Sequence, residues 1–302
     1  MVLDGLATLE YRGYDSAGAA FLTDKICLFK TSGRVSDLAK ITPDVHSHTG
    51  IGHTRWATHG KPSQANAHPH LSFDKRFAVA HNGVITNFAE LKDSLTSMGI
   101  PFVSDTDSEI IAHLLSVTYD GDMVSTMQKV ADKLNGAATF LALKTGDDCV
   151  YMHRRGASLA VGKGKGECIV ASDALAITPY TNLVAVLCDG ETAVMSKDGV
   201  RFFKQGKQID KPFRQTDRSA PKYCSCYMRA EIDEIPTALK NAYSEISHSI
   251  TPSVTDMIRN AKRMIFFGCG TAYHASRYGK VVFEQAGIMS SAVVASEIDD
   301  ER

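Results

Sequence analysis

The sequence predicts a mixed α+β domain in which two sheets pack face to face between helices, followed by the opening βαβ unit of a parallel α/β sheet. Three observations carry this. Between residues 19 and 195, many short stretches are rich in β-branched and apolar residues and bounded by turn residues. Two or three segments in the same span repeat apolar residues at helical spacing. That many strands are buried by two stacked sheets with helices outside. From residue 263 the pattern changes to a continuous apolar strand, a glycine turn, a helix and a second strand, which reads as βαβ.

The chain has 302 residues, room for about two domains of roughly 100–200 residues each. At 44% hydrophobic and 22% charged residues it can build a core. A net charge of −1 gives neither a basic stripe for nucleic acid nor an acidic tract. No apolar run approaches the ~20 residues needed to span a bilayer. The first residues carry Asp4 and Glu10 and no basic segment, unlike a signal peptide.

Leu3, Leu6 and Leu9 share one face of a short helix. Strands are expected at 19–22 and 26–30, and a helical turn or two at 36–41. Residues 53–70, HTRWATHGKPSQANAHPH, hold one Arg, one Trp and four His around Gly60 and Pro62, and read as a loop system. Residues 77–83, FAVAHNG, read as a buried strand ending in an Asn-Gly turn. Residues 87–98 form a helix stopped by Gly99, and 102–103 a short strand. Thr106 followed by Glu109 matches a capping box opening a helix to about 117, and 123–134 form another. Strands follow at 137–143, 150–153, 159–161, 169–171, 183–187 and 193–195. The stretch from 206, with Pro212 and Pro221, reads as a linker. Helices are expected at 231–246, 254–261 and 277–286, and strands at 263–267 and 292–295. The domains are therefore placed at 1–205 and 229–302, joined by 206–228. Two strands do not make a stable parallel sheet alone.

Several groups carry chemistry. The Arg55 guanidinium suits a bidentate carboxylate, or a structural ion pair. Asn82-Gly83 is a hairpin turn or, with the Asn amide and the Gly N–H aimed together, an oxyanion hole. Asp105 reads as a helix cap, and Asp107 as a cap or a ligand for an ammonium group. His53, His59, His68 and His70 lack the i, i+4 spacing and the Cys or Glu partners of a metal site, so no metal is expected. The seven cysteines form no CxxC pair or regular framework, and read as free thiols of a reducing cytoplasm. Cys224-x-Cys226 has no second metal half-site nearby. GCGTAY at 268–273 follows a strand and opens a helix, a place for a phosphate rather than a dinucleotide.

These residues carry a resemblance. LEYRGYDSAG (9–18), SGR-V (32–35), GHTRWATHG (52–60), NAHPH (66–70), HNGVITN (81–87) and SDTDSEIIAHL (104–114) closely resemble the glutaminase domain of the glutamine–fructose-6-phosphate aminotransferase (glucosamine-6-phosphate synthase) family. MRAEIDEIP and FFGCGTAYHAS resemble that family's linker and the opening of its sugar isomerase (SIS) half. The resemblance implies an N-terminal-nucleophile hydrolase αββα sandwich of the class II glutamine amidotransferases, followed by an incomplete SIS domain.

It implies that Arg55 holds the glutamine α-carboxylate and Asp107 the α-ammonium group. Thr58 and His59 would line the same pocket, Asn82 and Gly83 would form the oxyanion hole, Trp56 would gate ammonia passage, and His68 would support the loops. Thr271 would lie near a sugar phosphate, beside an Ala272 where the family usually has Ser. The implied reaction hydrolyses glutamine through a thioester and passes ammonia to fructose 6-phosphate, giving glucosamine 6-phosphate in a cytoplasmic homodimer. It needs no cofactor.

The family's nucleophile is an N-terminal Cys whose α-amine serves as base. This sequence opens Met1-Val2 directly before LDGLATLE, so a fragment without the family's opening Cys-Gly-Ile strand is expected. An opened sheet edge would make it poorly soluble or partly folded. The alternatives are a glutamine-binding or regulatory partner without catalysis, and another class II enzyme such as amidophosphoribosyltransferase. GCGTAYHAS argues against the latter.

Overall fold

The structure, a computed structural model, describes residues 1–56, 60–216 and 227–297. The chain divides into two compact units, Met1–Ala220 and Pro221–Arg302.

The first unit opens with helix α1 (Val2–Leu9), continued by a 3₁₀ turn (Glu10–Arg12), then strands β1 (Ser16–Leu22) and β2 (Ile26–Thr31), helix α2 (Val35–Ile41) and strand β3 (Thr49–Arg55). Strands β4 (His70–Leu71) and β5 (Phe77–Ile85) follow. Three helices come next: α3 (Phe88–Ser97), α4 (Glu109–Thr118) and α5 (Met123–Lys133). The rest is β: β6 (Gly136–Lys144), β7 (Val150–Arg154), β8 (Ala160–Lys163), β9 (Cys168–Ala171), β10 (Leu183–Val186), β11 (Glu191–Ser196), β12 (Gly199–Lys204), β13 (Lys207–Ile209) and β14 (Arg214–Gln215).

Seven strands form one sheet, in the order β13-β12-β11-β7-β6-β5-β4. A second layer holds two smaller sheets, β2-β1-β3 and β14-β10-β8-β9. Alternation along β5 shows how the layers are cut. Phe77 and Val79 point into a core shared with α3, α4 and α5, including Ile111, Leu115 and Met127. Ala78 and Ala80 point the other way, into a core with Ala20, Ile51, Val161 and Ala185 of the second layer. Period-two side chains on a sheet buried on both faces require apolar residues at every position. Leu6 of α1 and Leu38 of α2 cover the far side of β1. The unit is thus an αββα sandwich. Each fully buried Phe, Ile, Leu or Met contributes about 1.5–3 kcal/mol.

Several expectations are corrected. Residues 53–55 are the end of β3, paired with Ser16–Gly18 of β1, and not part of a loop. Asn82 and Gly83 are interior to β5, facing Thr139 and Ala138 of β6, so no Asn-Gly turn forms. Gly83 takes φ +148°, and a Cβ there would stand 2.0 Å from the Ala137 carbonyl oxygen; only glycine permits this close backbone approach. Residues 102–103 form no strand. The capping box is not made: the Glu109 carboxylate turns back to accept Val103 N–H (2.9 Å) and Ser104 N–H (2.8 Å). Thr106 bonds His70 instead. β13 and β14 lie in the polar stretch read as the start of a linker and belong to the first unit.

The second unit holds helices α6 (Tyr227–Ser249) and α7 (Pro252–Arg259), strand β15 (Arg263–Gly268), helix α8 (Thr271–Gln285) and strand β16 (Met289–Val294). β15 and β16 pair in parallel, with α8 packed on both. α8 begins directly after the glycine turn, six residues before the expected start. No helix among the described residues is long and apolar enough to cross a membrane. Cys27, Cys149, Cys168, Cys188 and Cys269 are free thiols, while Cys224 and Cys226 lie outside the described residues.

Candidate functional site

A cavity of about 1080 Å³ lies within the first unit. Every residue of β3 and of β9 lines it. Both strands stand at the edges of their sheets, so the cavity runs between two strand edges in the second layer. Leu6 and Leu9 of α1 lie on one side, and Ala80, Leu141 and Val150 of the seven-stranded sheet on the other.

At one end of β3 the cavity turns polar, with Arg55, Trp56, Asn82, Gly83 and Asp107 all in its lining. Arg55 is buried at the last position of β3. Its guanidinium donates to the Gly60 carbonyl at 3.4 Å, and burial lowers its pKa against the attraction of Asp107 and Asp15. Asp107 is buried just before α4. It accepts the Ile85 N–H at 2.8 Å and the Ser108 hydroxyl at 3.3 Å. A cation and an anion thus share one desolvated cavity, which is what a zwitterionic amino acid needs.

Four imidazoles gather at this end: His53, His68 and His81 line the cavity, and His68, His70 and His81 are buried. His68 lies tilted over His53 (ring centroids 4.4 Å apart) and edge-on to His70 (4.8 Å). His81 bonds the Ser108 hydroxyl at 2.8 Å. Burial pushes all four pKa values down, that of His53 to about 4, so they are neutral rings at pH 7. Among the described residues no cluster of His, Cys, Asp and Glu is arranged to hold a metal ion.

The loop after Gly60 is tied to the segment leading into α4. Asn66 Oδ1 accepts the Asp105 N–H at 2.9 Å, and Asn66 Nδ2 reaches Asp105 Oδ2 at 3.4 Å. Asp105 is thus held by Asn66 rather than capping the helix. Gly60 is left-handed (φ +74°), with the Asn66 amide 2.7 Å from where a Cβ would be.

The structure therefore brings Arg55, Trp56, His68, Asn82, Gly83 and Asp107 to one cavity. Thr58 and His59 lie outside the described residues. Thr271 is in the second unit, the first residue of α8 after the Gly268–Gly270 turn. Sequence reasoning missed Asn66 and Ser108 and gave His53 no role of its own. An Asn two residues before a His-Pro-His run is the signal that pointed to this loop.

Residues 53–179 match the glutamine amidotransferase domain family. Glutamine–fructose-6-phosphate aminotransferase (isomerizing) of Aquifex aeolicus is 39% identical over 310 residues, covering 98% of this chain and 52% of the relative. That of Caldanaerobacter subterraneus subsp. tengcongensis is 40% identical over 314 residues, with the same coverage. The chain spans about half the length of these curated relatives. In fold it is similar to the glutamine phosphoribosylpyrophosphate amidotransferase of B. subtilis, with a TM-score of 0.62 at 20% identity, covering 96% of this chain and 62% of that one. The first unit has the class II glutamine amidotransferase fold, residues 53–179 belong to the glutamine amidotransferase domain family, and the chain as a whole is homologous to about half of glutamine–fructose-6-phosphate aminotransferase.

Proposed function

We propose that the first unit binds L-glutamine and supplies the glutamine-activating half of an aminotransferase that converts fructose 6-phosphate to glucosamine 6-phosphate. The observation that carries this is the meeting of Arg55, Asp107, Asn82 and Gly83 in one cavity. Arg55 takes the α-carboxylate and Asp107 the α-ammonium group. Asn82 Nδ2 and the Gly83 N–H then face the side-chain carbonyl, where negative charge develops during acyl transfer. Trp56 at the rim gates ammonia, His68 supports the loops, and the family motif assigns Thr58 and His59 to the same ligand. In the second unit the start of α8, with Thr271, receives the sugar phosphate at a helix N-terminus. The whole enzyme works as a cytoplasmic homodimer.

A second reading is glutamine binding without hydrolysis, by a regulatory partner of a complete subunit. The observation favouring it is that Cys168, the described cysteine that lines the cavity, has its thiol pKa pushed up by burial and is held as the weakly nucleophilic protonated form. Calorimetric titration with L-glutamine, alongside an ammonia-release assay, separates the two. Binding with release supports the aminotransferase, binding alone the partner, and absence of binding overturns both.

A further inference from the structure

The Asn82 side chain can do the work assigned to it only if its amide nitrogen, and not its oxygen, faces the cavity. A carboxamide turned the other way would present a lone pair to a developing negative charge. Something must choose between two orientations of nearly equal shape.

The chooser lies in the other sheet layer. His53 Nε2 is 2.9 Å from Asn82 Oδ1. His53 sits on β3 and Asn82 on β5, so this hydrogen bond crosses between stacked sheets. The imidazole is neutral, with one N–H and one lone pair. The His81 backbone also lies close to the ring, but no acceptor among the described residues meets the distance and angle of a hydrogen bond at the buried Nδ1. Two arrangements are open. With the proton on Nε2, the ring donates to Oδ1 and leaves only a lone pair unpaired at Nδ1. With the proton on Nδ1, a buried N–H goes without a well-aligned acceptor while the amide flips to donate to Nε2. A buried orphan N–H costs about 1–3 kcal/mol, and orphaned donors are rarer than under-satisfied acceptors. The first arrangement is favoured. The ring cannot swing away, because His68 lies over it, His70 packs on His68, and His70 is held by Thr106 at 2.9 Å.

We propose that His53 is a positioning residue: its Nε2–H holds the Asn82 carboxamide by the oxygen, so that the Nδ2 donors face the cavity and meet the carbonyl of the bound side chain. The proposal rests on the reading of Asn82 as the carbonyl-binding group. No protein acceptor takes Asn82 Nδ2 among the described residues, which leaves it free for a ligand.

Two measurements on the full chain test it. L-Norvaline keeps the α-carboxylate, the α-ammonium group and the chain length of glutamine, but has no side-chain carbonyl. By calorimetry, His53→Phe weakens L-glutamine about three- to tenfold, the worth of one hydrogen bond, and leaves L-norvaline unchanged. His53→Gln, whose amide also donates, restores much of the glutamine affinity. Equal weakening of both ligands, no change in either, or no rescue by Gln overturns the proposal.

The second measurement needs neither variant nor ligand. Long-range ¹H–¹⁵N correlation of the histidine side chains at pH 7 shows His53 protonated on Nε2. A proton on Nδ1 overturns the proposal even if the variants fail to fold. If the wild-type chain does not bind glutamine, the functional reading falls, while this spectrum still decides the orientation of Asn82.

Discussion

Asp107 accepts the backbone N–H of Ile85 at 2.8 Å, tying the segment before α4 to the end of β5 two residues past Gly83. One carboxylate thus fixes the strand that carries the two proposed oxyanion donors, and it is also the group proposed to face the ligand's ammonium. Asp107→Asn keeps the shape and an acceptor for Ile85 but removes the charge. It is expected to weaken L-glutamine binding at least about tenfold, with a small change in melting temperature. Asp107→Ala also orphans the Ile85 N–H and costs a further ~1–3 kcal/mol of stability. Calorimetric titration and urea unfolding read the two effects separately.

Gly83→Ala forces a Cβ against the Ala137 carbonyl at a φ that L-residues avoid. Backbone strain and displacement of β6 are expected to cost about 2–4 kcal/mol together. Gly121→Ala, also at positive φ but with open space around it, costs about 1 kcal/mol. Urea midpoints of the two variants check the difference. Equal losses would mean that Ala137 does not constrain β5.

Stability depends on pH through the buried histidines. Burial, the main cause, pushes His53 and His153 down to about 4, below the unfolded value near 6.5. Between about pH 6.5 and 4 the unfolded chain binds more protons than the folded one, so stability falls as pH drops through that window. Each histidine contributes at most about 1.4 kcal/mol per pH unit. Glu109 acts lower down. Burial alone would raise its pKa, but the His113 ring 3.3 Å away and hydrogen bonds from Ser104 and the Val103 and Ser104 amides outweigh it and bring it to about 2. Its stabilisation is present above pH 4.5 and lost as pH falls toward 2. Urea midpoints at pH 7.5, 6, 5 and 4 should decline in steps, and His153→Gln should flatten the slope between 6.5 and 4.

Trp56 is the chain's single tryptophan. It is 61% exposed and set edge-on to Tyr14 at 6.2 Å. Its emission is expected to be red-shifted and readily quenched by acrylamide, with quenching reduced when L-glutamine occupies the adjacent cavity. Unchanged quenching at saturating glutamine would place the ligand elsewhere.

The elements with strong periodicity were legible in the sequence. Helices α3 and α5 and strands β1, β2, β6 and β7 lie within a few residues of where their apolar spacing put them. β3 was not, because Gly50 and Gly52 leave Ile51 as its one buried apolar residue and remove the alternation that marks a strand. The α4 start was misread because Glu109 satisfies amides five and six residues back rather than the local cap. Arg55, Asn82 and Asp107 stand out by residue type and motif. His53 does not, since its partner is 29 residues away in another sheet, and no local pattern encodes a contact across stacked layers.

The paired edges of β3 and β9 along the cavity have a consequence on the time axis. Among the described residues each strand pairs with a neighbour on one side only, and the other side lines the cavity. Such a strand detaches by breaking a single ladder, whereas β6, paired with both β5 and β7, must break two. In deuterium exchange the amides of β3 and β9 should label minutes to hours before those of β6. The wall of the proposed ligand site is then the part of the sandwich that breathes first, and an occupant that bridges the two edges would slow its clock.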